Sequence, residues 1–224
     1  MRQKKSKKVL IYIFLFLIIG TLNNRNLGNM VFMDISKVAV KGLDEKNNQE
    51  LKDSLSLLKI DNLFFLNEIS IKEILNSNSL VEKYSVFKRY PSTLNIKITK
   101  TKFLAKVKKK NNLFFLGSNG KLTKFTNIEQ DVPFIFGDFN NKSFFELKDV
   151  VDKTNFDYNK IKNLFFFKSG RWDLEMDDGI LIKLPSRNLK DSLELVINFL
   201  SKDHQLKINK IDLRQHNQII INGR

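Results

Sequence analysis

Hydrophobic and polar residues follow three patterns along this chain, and each pattern predicts a different element. The first is an uninterrupted apolar run over residues 9–19. Further on, alternation with period two predicts strands, beginning at 36–42, and spacing of three and four predicts helices. Two helices are expected after that strand, one with a capping box at Asn47 and Glu50 and one starting at the S-x-x-E phrase of Ser70 and Glu73.

Strand patterns dominate the rest of the chain. A strand over 81–91 ends at Pro91, and residues 92–99 again alternate apolar and polar positions. The pair Asn119-Gly120 predicts a hairpin turn, because both residue types tolerate positive φ. The remaining predicted elements are a helix over 144–151, a hairpin turn at Asp177, Asp178 and Gly179, a helix over 188–200, and strands over 208–214 and 218–221.

The phrase NLFFL stands at 62–66 and at 112–116, and NLFFF stands at 163–167. A true repeat with a period of about fifty residues would indicate a solenoid or a propeller. The three copies precede different sequences, however: a helix start, an Asn-Gly turn and an Arg-Trp strand. We therefore interpret the first copy as a helix connector and the other two as strands, and the chain is not predicted to be a repeat protein.

Charge is concentrated at the N-terminus of a chain whose formal net charge is +15. Five Lys and Arg residues lie within the first eight positions and are followed directly by the apolar run. The length of that run suits both a signal-peptide core and a short spanning helix. Because no small-residue cleavage site follows, an uncleaved anchor over 9–27 is favoured. The basic tail then stays in the cytoplasm, and the remainder is exported.

Few residues suit catalysis or nucleic-acid binding. The basic run at 106–112 lies between two predicted strands and is interpreted as a solvated turn, and no nucleic-acid-binding motif is present. The absence of cysteine excludes disulfides and thiol nucleophiles. His204 and His216 are expected in surface loops, and GSNGK at 117–121 lacks the spacing of a phosphate-binding loop. We therefore predict no catalytic residues, no cofactor, no metal and no small-molecule substrate.

Several phrases carry a resemblance to a known family. VAVKGL, NLFFLN and KRYPSTLNIKI together resemble the POTRA domain of the FtsQ/DivIB family of bacterial cell division proteins. The order of an RW strand, a D-D-G hairpin, a packing helix, an IDLR strand and a final strand resembles the C-terminal β domain of the same family. The chain departs from the family pattern at Lys100 and Phe103, so no role is assigned to those positions.

The resemblance implies an α+β protein with a single N-terminal transmembrane helix. A POTRA domain of order β-α-α-β-β follows, and then a mostly antiparallel β domain with packing helices. The expected boundaries are 1–8 for the cytoplasmic tail, 9–27 for the helix, 34–107 for the POTRA domain and 108–224 for the β domain. The implied protein is a single-pass, non-enzymatic scaffold of the inner membrane at the division septum, with its folded domains in the periplasm.

The last strand is the predicted partner-binding element. It is either an edge strand that accepts a strand from another chain or a covered central strand, and its residues leave both interpretations open. In the FtsQ family this region receives FtsB in complex with FtsL, while the POTRA domain recruits the protein to other division proteins. Carried over to this chain, the candidate residues are Arg171 as a polar clamp, Gln218, Ile219, Ile220, Ile221 and Asn222.

The residues leave three alternatives open. Arg171 is equally explained as a solvated residue beside a core Trp172. The chain as a whole could be another POTRA-bearing receptor for outer-membrane assembly or secretion, although such receptors are expected to carry tandem POTRA units. An enzyme of the cell wall held at the membrane is the third alternative, and it would need an essential acidic residue.

Overall fold

The computed structural model describes residues 3–22, 35–57, 63, 66–124, 130–202, 208–215 and 218–223. They divide into two compact units. The first comprises Met1–Asn78 and Lys83–Thr99, and the second comprises Ser79–Glu82 and Lys100–Arg224. The predictions for His204 and His216 lie outside the described residues.

The N-terminal helix, α1, covers Gln3–Leu22 and contains the whole predicted apolar run. Its apolar side chains are exposed, among them Leu10, Phe14 and Phe16. Within the described part of the chain, no helix combines the length and the apolar character needed to cross a membrane. Residues 23–27 of the predicted span lie outside the described residues.

A three-stranded sheet with two helices forms the rest of the first unit. Strand β1 is Lys37–Lys41, and after helices α2 at Glu45–Ser56 and α3 at Glu68–Ser77 come β2 at Val81–Arg89 and β3 at Thr93–Lys100. The strand order is β1-β3-β2, with β1 parallel to β3. The helices bury Leu55 and Leu75 with Leu94 of the sheet. This is the predicted order β-α-α-β-β.

Both helix starts differ from the prediction. Helix α2 is capped by Asp44, whose carboxylate accepts from the N–H of Asn47, so the expected capping box of Asn47 and Glu50 is wrong. Helix α3 is capped by Asn67 and not by Ser70. In each case an earlier Asp or Asn satisfies the free N–H groups of the first turn, so the helix begins before the predicted Ser or Asn.

The second unit is built on one mixed nine-stranded sheet. Its strands are β4 Phe103–Lys109, β5 Asn112–Gly117, β6 Leu122–Lys124, β7 Phe134–Phe136, β8 Ile161–Phe166, β9 Trp172–Met176, β10 Leu181–Lys183, β11 Ile208–Asp212 and β12 Ile220–Gly223. Their order is β12-β11-β10-β9-β8-β7-β4-β5-β6. Pairs β4·β7, β7·β8 and β10·β11 are parallel, whereas the other five are antiparallel, as the prediction of a mostly antiparallel domain requires.

The predicted hairpin turns are confirmed. Lys110 and Asn111, both with positive φ, join β4 to β5 within the basic run that was interpreted as a turn. Gly120 with φ +74° lies between β5 and β6, and Gly179 with φ +87° lies between β9 and β10. The second and third copies of the NLFF phrase are therefore strands β5 and β8, and the first lies between helices α2 and α3.

Two helices cover one face of this sheet. Helix α4 spans Asn141–Lys153 and α5 spans Leu189–Lys202, each close to its predicted range, with a short 3-10 helix at Tyr158–Lys160 between them. Trp172 is 2% exposed and lies at the centre of the core, with its ring 4.7 Å from that of Phe166 and 6.4 Å from that of Phe144. The prediction that Trp172 is a core residue is confirmed.

Candidate partner-binding site

The last strand lies at the edge of the nine-stranded sheet. Within the described residues, β12 pairs with β11 on one side and with no strand on the other. All four of its residues are exposed, including Ile220 at 44% and Ile221 at 36%. The strand begins at Ile220, two residues later than predicted, because Gln218 and Ile219 form no ladder with β11. An edge strand presents unpaired N–H and C=O groups to which another chain can add a strand.

A row of charged residues crosses the sheet toward this edge. Asp173 of β9, Lys183 of β10 and Asp212 of β11 are register partners, and Ile220 of β12 is next in the same row. Their chain neighbours, including Leu174 and Ile211, face the helix-covered core. Because side chains alternate across a strand, the charged row lies on the face opposite the helices, and Asp173 and Asp212 are buried there.

Arg171 is held in place by one of these carboxylates. Its Nε donates to Asp173 Oδ1 at 3.0 Å, and its guanidinium lies 4.3 Å from the centre of the Phe167 ring. The Asp173 side chain is only 4% exposed. Burial raises the pKa of Asp173, and the hydrogen bond from Arg171 opposes that rise. Arg171 is therefore an anchored side chain that is 22% exposed, and the interpretation as a solvated residue is wrong.

Asp212 holds a second arginine in the same way. Arg214 donates through Nε to Asp212 Oδ1 at 2.8 Å and through Nη2 to Oδ2 at 2.6 Å. These bonds hold the pKa of Asp212 below its usual range, and they outweigh its burial. The Arg214 side chain remains 46% exposed, so part of its donor capacity faces solvent. Arg214 is not among the site residues predicted from the sequence.

The signal for Arg214 was present in the sequence. In each pair the arginine and the aspartate are two residues apart, and residues at that spacing lie on the same side of an extended chain. The R-x-D phrase of Arg171 and Asp173 and the D-x-R phrase of Asp212 and Arg214 therefore predict an ion pair each. The two phrases occupy positions that are brought together only by the order β9-β10-β11.

A groove of about 520 Å³ joins the two arginines to the start of the edge strand. Its lining includes Arg171, Arg187, Arg214, Asp191, Gln215 and Gln218. Arg187 is exposed and forms no ion pair among the described residues. Arg171 and Arg214 are already paired with Asp173 and Asp212, so Arg187 and the exposed part of Arg214 are the groups available to an acidic ligand. Arg suits such a ligand because it binds carboxylates with well-defined hydrogen-bond geometry.

The structure brings some of the predicted residues together and separates others. Arg171 and Gln218 line the same groove, whereas Ile220, Ile221 and Asn222 belong to β12 beyond it. Ile219 packs at the margin of the core. Across the described residues, no cluster of His, Asp and Glu suitable for a metal ion occurs. The groove and the edge strand are adjacent features, suited together to an extended chain that carries an acidic side chain.

Comparison with known proteins shows the class of protein to which the two units belong: a bacterial cell division protein with a POTRA domain. The family model for the FtsQ-type POTRA domain matches residues 33–100, and the model for the C-terminal part of cell division protein FtsQ/DivIB matches residues 105–214. The chain belongs to the FtsQ/DivIB family, as its sequence phrases predicted. This is a family of cell division proteins and is not known as an enzyme family.

The individual relatives that the chain resembles are also cell division proteins named FtsQ or DivIB. The chain is 27% identical to cell division protein FtsQ of Rickettsia bellii strain RML369-C over 84% of its own length and 71% of that protein. It is 22% identical to FtsQ of Bradyrhizobium diazoefficiens over 87% of this chain and 58% of the relative. DivIB of Clostridium botulinum strain Hall is 26% identical over 53% of this chain and 45% of the relative.

Solved structures also match, and one of them is a domain of a cell division protein. It is the major extracytoplasmic domain of the trans isomer of the cell division protein DivIB from Geobacillus stearothermophilus, at 16% identity with a TM-score of 0.36. The match covers 46% of this chain and 93% of that domain, and the similarity is too weak to bear on the fold.

Proposed function

We propose that this protein is a bitopic scaffold of the cell division machinery that captures FtsB, in complex with FtsL, by adding a strand of the partner to β12. The segment over 9–27 would anchor it in the inner membrane, with the basic tail in the cytoplasm and the two sheet-containing parts of the chain in the periplasm, at the septum. It would link early and late division proteins without catalysis of its own. The POTRA domain would contact other division proteins.

The observation that carries this proposal is the exposed edge of the nine-stranded sheet. Strand β12 has one partner strand among the described residues, and its four residues are all exposed. Main-chain hydrogen bonds to such an edge supply affinity, while side-chain pockets beside it supply specificity. The arginine groove is the adjacent pocket, because Gln218 lines it two residues before the strand begins.

The groove would select for an acidic side chain on the partner. Arg171 and Arg214 are already oriented by Asp173 and Asp212, so they need little ordering when the partner binds. Arg187 carries no such partner among the described residues and would be the arginine most free to move toward the ligand. In this proposal the edge strand gives the affinity, and the groove sets the register of the added strand.

We further propose that the functional parts follow the order expected from the sequence: a tail over 1–8, an anchor over 9–27, a POTRA domain and a partner-binding β domain. The expected boundary between 34–107 and 108–224 divides strand β4, which belongs to the sheet of the second unit, so we place the start of the β domain at Lys100. Family membership supports the order of these parts. Arg171, Gln218, Ile219, Ile220, Ile221 and Asn222 are the residues proposed to contact the partner.

The test is a binding measurement with the full chain in lipid nanodiscs. Purified periplasmic segments of FtsB and FtsL are titrated against the intact protein and against a variant that ends before Gln218. We expect the truncation to abolish binding. Trp172 is the single tryptophan and is buried in the core of the second unit, so its fluorescence reports whether that unit is still folded. Undiminished binding by a folded, truncated chain would contradict the proposal.

A further inference from the structure

The sheet of the first unit has one covered face and one open face. Val38 and Val40 of β1 are register partners of the buried Leu94 and Ile96 of β3, on the side covered by α2 and α3. The intervening residues therefore lie on the open face. In β2, Tyr84 and Val86 line a groove with Ile71 of helix α3, so the residues between and beside them also belong to the open face.

The open face is basic. We call Lys37, Lys41, Lys83, Arg89 and Lys97 the basic face. All five side chains are exposed, and none forms an ion pair among the described residues. The other strand residues on this side, where the structure describes them, include Ser85, Phe87, Asn95 and Thr99, and none is acidic. The basic face thus has five unpaired positive charges and no carboxylate to neutralise them.

An exposed aromatic residue lies among these charges. Phe87 of β2 is 56% exposed and is placed between Lys83 and Arg89 on the same side of the strand. A large apolar side chain surrounded by Lys and Arg is the composition of protein surfaces that rest on anionic bilayers, where the ring enters the headgroup region and the cations remain at the phosphates.

The charges are spread over a plane and not along a line. Lys83 and Arg89 are about 20 Å apart along β2, and the three strands together are about 10 Å wide from first to last axis. Such an array matches a flat surface of many phosphates better than a single acidic peptide, which would contact one row of side chains.

The chain between Leu22, where α1 ends, and Lys37 is short enough to keep these two residues within about 50 Å of each other.

From this geometry we infer that the basic face docks on an anionic phospholipid surface, with Lys37, Lys41, Lys83, Arg89 and Lys97 at the headgroup phosphates and Phe87 inserted between them. The inference goes beyond the proposed capture of a division partner and uses its membrane anchoring only to bring the face near the bilayer. Docking would set the orientation of the POTRA domain toward the membrane, on the side of the sheet away from helices α2 and α3.

The experiment uses the full chain with vesicles of phosphatidylglycerol or of phosphatidylcholine. Exposed lysines are acetylated with a water-soluble reagent, and the extent is measured by mass spectrometry at Lys37, Lys41, Lys83 and Lys97. Lys108 and Lys124, exposed strand lysines of the second unit without ion pairs among the described residues, are the reference. Vesicle flotation measures attachment separately.

We expect the four lysines of the basic face to be protected in phosphatidylglycerol vesicles and not in phosphatidylcholine vesicles, with the reference lysines unchanged in both. Each Lys or Arg near an anionic surface changes the binding constant about fivefold. The double variant Lys83→Glu and Lys97→Glu should therefore lose the protection of Lys37 and Lys41, and 0.5 M salt should weaken it. The matched variant Lys108→Glu and Lys124→Glu should retain it. Circular dichroism melting checks that both variants fold.

Two outcomes overturn the inference. Equal acetylation of the basic face in both lipids would exclude lipid docking and leave an acidic protein as the binding partner to pursue. Equal protection of Lys108 and Lys124 would indicate general coating of a basic protein. Failure of the proposed anchor is a separate result, because it appears as a lack of flotation with phosphatidylcholine, while protection by phosphatidylglycerol can still be present.

Discussion

The two edges of the nine-stranded sheet differ in a way that explains why one of them suits a partner. At the β6 edge the strand has three residues, and its central Thr123 is only 6% exposed. At the β12 edge all four residues are exposed, and two of them are isoleucines. A short strand with a buried centre is a protected edge, whereas an exposed, apolar strand is open to pairing.

Position at the edge of the sheet is not sufficient for strand addition. Strand β12 also has the arginine groove beside it, with Gln218 in the lining and Arg214 two residues after the end of β11. The lining of that groove contains no residue of β6. Affinity for an added strand requires the free main-chain groups, and selectivity for one partner requires the adjacent charged pocket.

Proline substitution at both edges is expected to have the largest effect on the difference between them. Successive N–H groups of a strand point in opposite directions, so of Ile220→Pro and Ile221→Pro, one removes an N–H facing the partner and the other an N–H facing β11. We expect the variant that loses the partner-facing N–H to bind FtsB/FtsL about a hundredfold more weakly, through one lost hydrogen bond and the clash of the ring. The variant that loses the N–H facing β11 should mainly have a lower melting temperature.

Lys124→Pro at the β6 edge is the control for that pair. It places the same residue at the exposed end of an edge strand, and we expect partner affinity to stay within about twofold, since substitutions away from the interface have small effects. Wild-type affinity in both β12 variants, measured by titration in nanodiscs, would show that β12 does not receive a strand.

A smaller effect is expected from the arginine that is anchored beside Trp172. Replacing Arg171 by Met leaves Asp173 buried without its charged donor, and we expect a loss of about 1–2 kcal/mol in the free energy of unfolding of the second unit. Arg187→Met removes an exposed groove arginine without leaving a carboxylate unpaired, so its unfolding should match the wild type. Denaturation followed by Trp172 fluorescence decides; equal stability of the two variants would refute the buried-pair explanation.

The two aspartates should respond oppositely to pH. The folded-state pKa of Asp212 is lowered, so its ion pair adds stability above about pH 4, the ordinary range of aspartate, and this contribution is lost as the pH falls further. The folded-state pKa of Asp173 is raised by burial, so its ionisation costs stability as the pH rises above about 4, the ordinary range of aspartate.

Unfolding measured from pH 3 to pH 7 separates the two. The stability advantage of the wild type over Asp212→Asn should shrink toward low pH, whereas Asp173→Asn should be least harmful, relative to the wild type, at neutral pH. Parallel pH curves for the wild type and Asp212→Asn would contradict the assignment of that pair.

The smallest expected effect concerns an exposed strand side chain. Ile221→Thr on β12 keeps a β-branched residue in a half-exposed position, so the free energy of unfolding should change by less than about 0.5 kcal/mol. Partner affinity should fall several-fold, because the isoleucine would be covered by the added strand. An identical affinity would indicate that the contact at this position is made by the main chain alone.

Much of the fold followed from local patterns. The alternation of β1 and β3, the apolar stripe of α5 and the Asn-Gly turn after β5 act over short distances, and the structure has all of them. The helix caps were missed, because Asp44 and Asn67 lie before the apolar stripes on which the prediction was based. Choosing between several polar residues near a helix start needs the backbone conformation, which a periodicity does not contain.

The site was predictable only in part. Composition identified β12 as an unusually apolar last strand, but its edge position depends on the crossover that places β10 parallel to β11. The groove joins Arg171 to Arg214, which are 43 positions apart, the difference between their residue numbers. Such long-range pairing is decided by strand order and not by any local pattern, so the D-x-R phrase predicts the ion pair of Arg214 but not its place beside Arg171.

The most direct test of the central claim is amide hydrogen exchange of the full chain with and without the FtsB/FtsL periplasmic segments. We predict that the amides of β12 become strongly protected on binding, with a smaller gain in β11, while those of β6 exchange at an unchanged rate. Protection arising elsewhere, with β12 as open in the complex as in the free protein, would contradict strand addition at this edge.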